Sequence, residues 1–152
     1  MSENQKTPRR LAREVAMQGL YQLRMTGNSL PVIEEHLEQE SDDWAHTDRA
    51  LALVLLRGAA EKSEALETRY AGFLDRPITE ISPVERAILL LGAYELAERL
   101  ETPYRVVINE AIELAKSFGG TDGHRYVNGV LDKFAATVRS AEVEHAAKQK
   151  RK

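Results

Sequence analysis

The chain has 152 residues, a length that suits a single domain. Hydrophobic residues make up 43% and charged residues 30%, an ordinary globular composition that argues against wholesale disorder. Because there is no cysteine, disulfide frameworks, cysteine nucleophiles, thiolate zinc sites and iron–sulfur clusters are excluded. The first ten residues lack the apolar core of a signal peptide, and no apolar segment is long enough for a membrane span, so we expect a cytoplasmic protein.

Charge is distributed unevenly along the chain. The formal net charge is −3, yet residues 1–13 and residues 139–152 each carry +3, so the residues between them carry −9. Basic ends on an acidic body suggest an anionic partner such as nucleic acid. Basic tails are also common as solvated chain ends, and charge alone favours that simpler interpretation.

Helical signals cover the whole chain. Thr7 is a suitable N-cap before Pro8, and the segment Ser82-Pro83-Val84-Glu85 has the pattern of a capping box. In that box the Glu85 side chain is expected to reach back to the amide of Ser82. The segment after it is apolar on nearly every face, as in a central helix. The predicted helices are one from Pro8 to near Gly27, a short one over 30–37, a long one from Asp48 to the break at Gly72, one from Pro83, one over 106–118 that ends at Gly119, and one from a cap at Asp122 to Val138.

Neither alternating strand patterns nor fixed repeats nor flexible linkers appear in the sequence. We therefore predict an all-α fold, with a single compact domain of about seven helices over residues 8–139. Residues 1–7 are predicted to be a flexible N-terminus. Residues 140–152 are predicted to be a basic flexible tail, because the chain is polar from Glu142 onward.

Patterns for catalysis and metal binding are mostly missing. The four histidines form no pair with metal-ligand spacing, so neither a metal nor another cofactor is predicted. Glu110 and Glu113 lie one helical turn apart, but such a pair is more often a solvated helix face, and Lys116 is placed to pair with Glu113. Phosphate loops, nucleophile elbows and dinucleotide fingerprints are missing from the sequence. The residues therefore predict a protein that is not an enzyme.

The first candidate RNA site, here called the arginine cluster, consists of Arg9, Arg10 and Arg13. Their spacing lets all three guanidinium groups project to one side of a helix, where they could bind phosphates or stack on bases. Gln18 and Tyr21 follow on nearby turns. Cations at a helix N-terminus oppose the helix dipole, and an anionic ligand would explain that placement. The simpler interpretation is helix-end charge with Tyr21 in the core.

The second candidate site, here called the loop cluster, lies at the start of the last predicted helix. Free amides at a helix start attract phosphate, arginine pairs with it, and tyrosine stacks on an unpaired base. A tyrosine in such a position is, taken alone, more often a core residue. The members of the loop cluster are Asp122, His124, Arg125 and Tyr126.

Three segments of the chain resemble the NusB family of bacterial transcription antitermination proteins. They are RRLAREVAMQGLY at Arg9–Tyr21, SPVERAILLLGAYEL at Ser82–Leu96, and TPYRVVINEAIELAKSFGGTDGHRYVNGVLDKF at Thr102–Phe134. The third match is the strongest, whereas Thr26–Ile78 and the two tails match weakly.

The resemblance implies a fold of two packed helical bundles and no catalysis. Proteins of this family bind the single-stranded boxA element in leader transcripts of ribosomal RNA. They do so together with NusE, a ribosomal small-subunit protein. The pair joins RNA polymerase and other Nus factors in a complex that suppresses premature termination, and no membrane is involved.

Carried over by position, the resemblance implies that the arginine cluster and the loop cluster contact RNA. Asp122 and Gln18 are expected to read base edges. Tyr126 stands where a phenylalanine is familiar in the family, and its stacking should survive. Tyr21 and Glu85 map to the surface that faces NusE, which moves Tyr21 from RNA stacking to protein contact. Glu85 would then divide its carboxylate between helix capping and the partner.

Three alternatives stay open at this stage. One is a stand-alone helical RNA-binding module like those fused to RNA cytosine methyltransferases. Another is a protein-interaction scaffold whose basic ends serve only solubility. The third is an enzyme that acts through Glu110, Glu113 and His124. A homodimer that buries the arginine cluster is a further hypothesis, in which a second subunit and RNA would compete for one surface.

Overall fold

Eight α-helices follow one another along residues 6–150, which are the residues that the computed structural model describes. No strand occurs within this range, so the predicted all-α fold is confirmed. Over the same residues, no helix combines the length and the apolar character that crossing a bilayer requires. The helices are α1 (Pro8–Thr26), α2 (Leu30–Glu40), α3 (Arg49–Glu61), α4 (Ser63–Tyr70), α5 (Pro83–Glu98), α6 (Tyr104–Phe118), α7 (Gly123–Val138) and α8 (Ser140–Lys150).

Local signals fix several helix ends. The side-chain oxygens of Thr7, Asp48 and Ser82 each accept the amide hydrogen three residues ahead, at 3.1 to 3.2 Å. At the other end of α1, Gly27 adopts a left-handed conformation with φ 70°, and its amide donates to the Leu23 carbonyl at 3.1 Å. Glycine reaches that conformation without steric cost. These ends lie where the sequence predicts them.

Helix α5 lies at the centre of the fold, as its apolar sequence predicts. Every residue from Ala87 to Leu96 is buried. The helix packs against α1, α3, α4, α6 and α7. Helix α1 packs against both α5 and α3. The buried face of α1 is therefore wide, and it includes Leu11, Ala12, Arg13 and Val15. Because this buried face is wide, it includes the side chain of Arg13.

The predicted long helix over 48–72 is wrong, since it is two helices. The chain turns at Lys62, with φ −100° and ψ 12°, between α3 and α4. Helix α4 then packs against α5, and the Tyr70 ring meets the Phe134 ring edge-on at 6.0 Å between centroids. Neither proline nor glycine stands at the turn. Tertiary packing therefore bends a segment whose local sequence favours a continuous helix.

Residues 140–150 form helix α8, where the sequence predicted a flexible tail. Arg139, which the charge pattern assigned to the basic end of the chain, is only 5% exposed. Its guanidinium donates to the carboxylate of Glu142. The same carboxylate accepts a hydrogen bond from the amide of Tyr104 at 2.7 Å. This buried side chain therefore fixes the start of α8 on the domain. The backbone carbonyls to which Arg139 donates are those of Glu95, Leu96, Arg99 and Thr102.

Parts of the two predicted flexible ends lie outside the described residues. These parts are residues 1–5 of the N-terminal segment and residues 151–152 of the tail. The division of the chain at residues 8 and 139 stays a prediction.

Candidate nucleic-acid interface

The arginine cluster divides into exposed and buried members. Arg9 and Arg10 are exposed on the first turn of α1. Arg10 donates from Nη2 to Oε2 of Glu110 at 2.9 Å, and from Nε to Oε1 at 3.4 Å. This hydrogen bond and the charge of Glu110 raise the pKa of Arg10. A carboxylate on α6 therefore holds Arg10 in the free protein.

Arg13 does not share the exposed side of α1, so the expectation that all three arginines project together is wrong. It is only 4% exposed, and its Nε and Nη2 donate to the Glu95 carboxylate at 2.9 to 3.2 Å. Its Nη1 lies 3.6 Å from Oε1 of Glu110. Burial disfavours its charge, but the hydrogen bonds to Glu95 and the two carboxylates outweigh that effect and raise the pKa of Arg13. Arg13 thus joins α1 to α5 and α6.

Lys6 extends the basic start of α1 towards the loop cluster. Its ammonium lies 5.9 Å from the centroid of the Phe118 ring, and it pairs with the Glu14 carboxylate. Phe118 is the last residue of α6, directly before the loop 119–122. The start of α1 therefore lies beside the C-terminal end of α6, from which the loop 119–122 leads to the loop cluster. In the sequence, Lys6 contributes only to the positive charge of residues 1–13, and it belongs to no motif.

The loop cluster surrounds the first turn of α7, but its cap differs from the prediction. Asp122 is exposed, and its side chain makes no capping hydrogen bond. Its backbone has φ −111° and ψ 12°, not the extended conformation that an N-cap usually adopts. Its carbonyl oxygen accepts from the amides of Arg125 at 3.1 Å and Tyr126 at 3.4 Å. Because the Asp122 residue is exposed and its carboxylate caps no amide, that carboxylate is free to accept hydrogen bonds from a ligand.

The other members of the loop cluster differ in exposure. Arg125 is exposed, whereas His124 and Tyr126 are half-buried. The hydroxyl of Tyr126 is buried and has no hydrogen-bond partner among the described residues, and burial raises its pKa. The guanidinium of Arg76 lies over the ring, 5.0 Å from its centroid. Tyr126 therefore combines the two interpretations of the sequence, because its tip is in the core and its ring borders the surface.

Glu85 lies beside the loop cluster. Its amide donates to the Ser82 hydroxyl at 3.2 Å, and that hydroxyl donates to Oε2 of Glu85 at 2.8 Å. The carboxylate thus contacts the side chain of Ser82, not the backbone amide that the capping box predicted. A Cβ atom added at Gly123 would lie 2.3 Å from Oε1 of Glu85. A side chain at position 123 would displace the Glu85 carboxylate, so Gly123 lets Glu85 lie against the first residue of α7.

Tyr21 lies in the C-terminal half of α1. It is half-buried against the hydrophobic core. Arg24, one turn further along α1, lies 3.3 Å from the Glu67 carboxylate, which also accepts from Arg86 at 2.9 Å. Glu67, which sequence reasoning missed, therefore ties the Tyr21 end of α1 to the residue after Glu85. A groove of about 290 Å³ runs beside it, lined mainly by Leu20, Leu23, Leu30 and Leu90.

The remaining candidate residues do not form a catalytic centre. Gln18 is half-buried on α1. Glu113 lies 3.8 Å from Lys116, in the solvated pairing that the sequence predicts, while Glu110 is occupied by two arginines. Within residues 6–150, no group of three or more histidine, aspartate or glutamate side chains is placed to hold a metal ion.

Comparison with known proteins decides the family. The sequence pattern of the NusB family matches residues 10–136. This chain belongs to the NusB family. A transcription antitermination protein NusB from Azoarcus sp. strain BH72 is 57% identical over 142 residues, which cover 93% of this chain and 92% of that protein. The NusB protein of Ralstonia nicotianae is 54% identical over 138 residues, covering 91% and 88%.

Solved NusB structures share this fold. NusB of T. maritima has a TM-score of 0.77 and 30% identity, covering 92% of this chain and 99% of that one. A structure of antitermination factors NusB and NusE in complex with dsRNA has a TM-score of 0.72 and 23% identity, covering 84% and 96%, and this likeness concerns the fold alone. The family match and the relatives' name, transcription antitermination protein, confirm the prediction of an antitermination protein that is not an enzyme.

Proposed function

We propose that this NusB-family protein binds the single-stranded boxA element of ribosomal RNA leader transcripts together with NusE, and so supports processive transcription of ribosomal RNA. The observation that carries this proposal is the meeting of two basic segments at one end of α6. Lys6 reaches Phe118 from the start of α1, and Arg125 lies in the first turn of α7, just after the loop 119–122. A single strand of RNA could therefore contact both segments at once.

Each exposed cation has a defined part in this proposal. Arg9, Arg10 and Arg125 neutralise phosphates, which provides affinity and makes it dependent on salt. Arg13 acts as a positioning residue. Its buried ion pair with Glu95 holds α1 against α5, and α1 carries the exposed Arg9 and Arg10. Asp122 supplies an acceptor for base edges.

Half-buried groups complete the RNA surface. Gln18 and His124 provide further polar contacts to bases, and the ring of Tyr126 supports a splayed base. Base–aromatic stacking of this kind is worth about 1–3 kcal/mol per base. Sequence choice comes from these contacts, whereas the phosphate contacts are indifferent to sequence.

NusE is proposed to bind next to this RNA surface. Tyr21 and Glu85 form its contact region. Glu67 connects the two helices that carry them, because its carboxylate pairs with Arg24 of α1 and with Arg86 of α5. Because Glu85 packs on Gly123, a partner that covers Glu85 would border the loop cluster and extend the surface available to RNA. The solved NusB–NusE–RNA assembly supports the choice of this partner. RNA polymerase and other Nus factors would join the resulting complex.

A titration of labelled boxA-like RNA tests the proposal. Fluorescence anisotropy is recorded with and without NusE, at two salt concentrations, against a scrambled RNA of equal length. We expect binding that prefers boxA, tightens with NusE and weakens with salt. Equal binding of both RNAs, even with NusE, would contradict the proposal and favour a protein-interaction scaffold.

A further inference from the structure

Arg76 covers a ring that the proposed function assigns to RNA. It lies in the connection between α4 and α5, and its side chain is 46% exposed. Its guanidinium carbon is 5.0 Å from the centroid of the Tyr126 ring. The hydroxyl of Tyr126 is buried, whereas the residue as a whole is half-buried, and the Arg76 guanidinium lies over its ring. RNA that approaches Tyr126 from this side meets the guanidinium first.

The guanidinium of Arg76 is held in a fixed orientation. Its Nε donates to Oδ1 of Asp75 at 2.7 Å, and its Nη2 donates to Oδ2 at 3.1 Å. These bonds use two of the five N–H donors of an arginine and leave three for another acceptor. The aromatic ring beneath adds a cation–π contact. Arg76 is therefore a planar cation fixed on two sides and open on a third.

The surroundings of Arg76 connect both proposed binding surfaces. Arg125, which is exposed, directly precedes Tyr126 on α7. Asp75 has the largest effect on Arg76 and raises its pKa, and Tyr126 and Glu85 add to this effect. The charge of Glu85 thus acts on Arg76, which also contacts the loop cluster through the ring of Tyr126.

We propose that Arg76 is a further RNA-binding residue, which presents its guanidinium plane to a base or phosphate while Tyr126 supports it from below. Guanidinium planes stack on splayed bases and donate to phosphates in single-stranded RNA recognition. The proposal rests on the RNA binding argued above and revises the part of Tyr126. Its ring then acts on RNA through Arg76 and not by direct stacking alone.

The test compares Arg76→Ala with a matched control, Arg105→Ala, in the anisotropy titration. Arg105 is also exposed and lies over a tyrosine ring, at 5.3 Å from the centroid of Tyr104. It stands in the first turn of α6, about 20 Å of helix from Phe118. We expect Arg76→Ala to weaken boxA binding at least fivefold, on the order of the 1–3 kcal/mol of a stacking contact. Arg105→Ala should bind like the unaltered chain.

A second variant separates the guanidinium plane from its charge. Arg76→Lys keeps the positive charge but not the planar guanidinium. We therefore expect its RNA binding to depend on salt as in the unaltered chain, with an affinity between those of Arg76→Ala and the unaltered chain. Thermal unfolding of all variants checks that the fold is retained. Unchanged affinity of Arg76→Ala, or equal losses in the Arg76 and Arg105 variants, would overturn the proposal for Arg76 alone. Absence of boxA binding by the unaltered chain would overturn the proposed function together with it.

Discussion

Arg10 and Arg13 on α1 have different roles because different carboxylates bind them, one at the surface and one in the interior. Glu110 holds the exposed Arg10 and also approaches Arg13, which Glu95 secures in the interior. An exposed ion pair is worth at most about 1 kcal/mol, so phosphate can displace it. Removing one partner of a buried pair leaves an uncompensated charge and costs about 3–5 kcal/mol. The sequence shows three similar residues, and only the packing of α1 against α5 distinguishes them.

Substitution of the two arginines should therefore have different results. Arg10→Ala is expected to weaken RNA binding and reduce its salt dependence while stability stays nearly unchanged. Arg13→Ala is expected to lower the free energy of unfolding by about 3 kcal/mol or more, since the buried Glu95 loses its partner. Urea unfolding and RNA titration measure the two effects. An Arg13→Ala protein as stable as the unaltered chain would contradict the positioning part given to Arg13.

Glu110 should limit RNA affinity in the free protein. Glu110→Gln removes the charge that competes with phosphate for Arg10, so we expect tighter RNA binding and a steeper salt dependence. Glu113→Gln is the matched control, because it removes the same charge from the same helix at an exposed position that pairs with Lys116. Equal tightening in both variants would indicate a general charge effect and not competition for Arg10.

Among the helices, those with local signals could be predicted and those defined by distant contacts could not. The caps at Thr7, Asp48 and Ser82 depend on neighbouring residues and lie where expected. The turn at Lys62 and helix α8 depend on distant contacts, namely the packing of α4 against α5 and the hydrogen bonds of Arg139 and Glu142, which no window of sequence contains. Asp122 shows the reverse case, since its residue type suits a cap but its backbone conformation does not. Arg76 escaped prediction because it lies in an irregular connection without a motif.

Helix α8 should respond to acid through Glu142. Burial alone would raise the pKa of this carboxyl, but the amide of Tyr104 and the Arg139 guanidinium outweigh burial and lower it. A carboxyl with a lowered pKa in the folded state stabilises at pH values above its ordinary pKa of 4.5, and this stabilisation is lost as the pH falls through the lower folded value. We expect amides of α8 to exchange faster with solvent below that range.

The variant Glu142→Gln provides the control for this pH dependence. It should show fast exchange in α8 already at neutral pH, with little further change on acidification. Hydrogen exchange followed by mass spectrometry resolves α8 from the rest of the chain. If α8 in Glu142→Gln stayed as protected as in the unaltered protein, the anchoring part of Glu142 would be wrong.

On the scale of the whole molecule, internal carboxylates screen most of the arginine cluster. Arg10 and Arg13 are paired with Glu110 and Glu95 within one chain, so screening them does not require a second subunit. This weakens the reason for a homodimer on that face, which stays a hypothesis. The resemblance to the NusB family indicated in the sequence the residues that we propose for the RNA surface. Their exposure could come only from the fold.

If a homodimer does form on the arginine cluster, RNA should dissociate it, because both would occupy the same face of α1. Sedimentation velocity of the protein with and without saturating boxA-like RNA measures this competition. We expect one protein chain per complex at saturation. A dimer that persists at saturating RNA would show that the two surfaces are separate.

The contact between Glu85 and Gly123 joins the start of α5 to the start of α7 with no side chain between them. The surface proposed for NusE and the surface proposed for RNA therefore share a boundary, and a ligand on one side alters the charge felt on the other. Such coupling is reciprocal by thermodynamic necessity. Whatever factor NusE adds to the affinity for RNA, RNA must add to the affinity for NusE. A leader transcript that is still being synthesised would thus strengthen the binding of NusE by the same factor by which NusE strengthens the binding of the transcript.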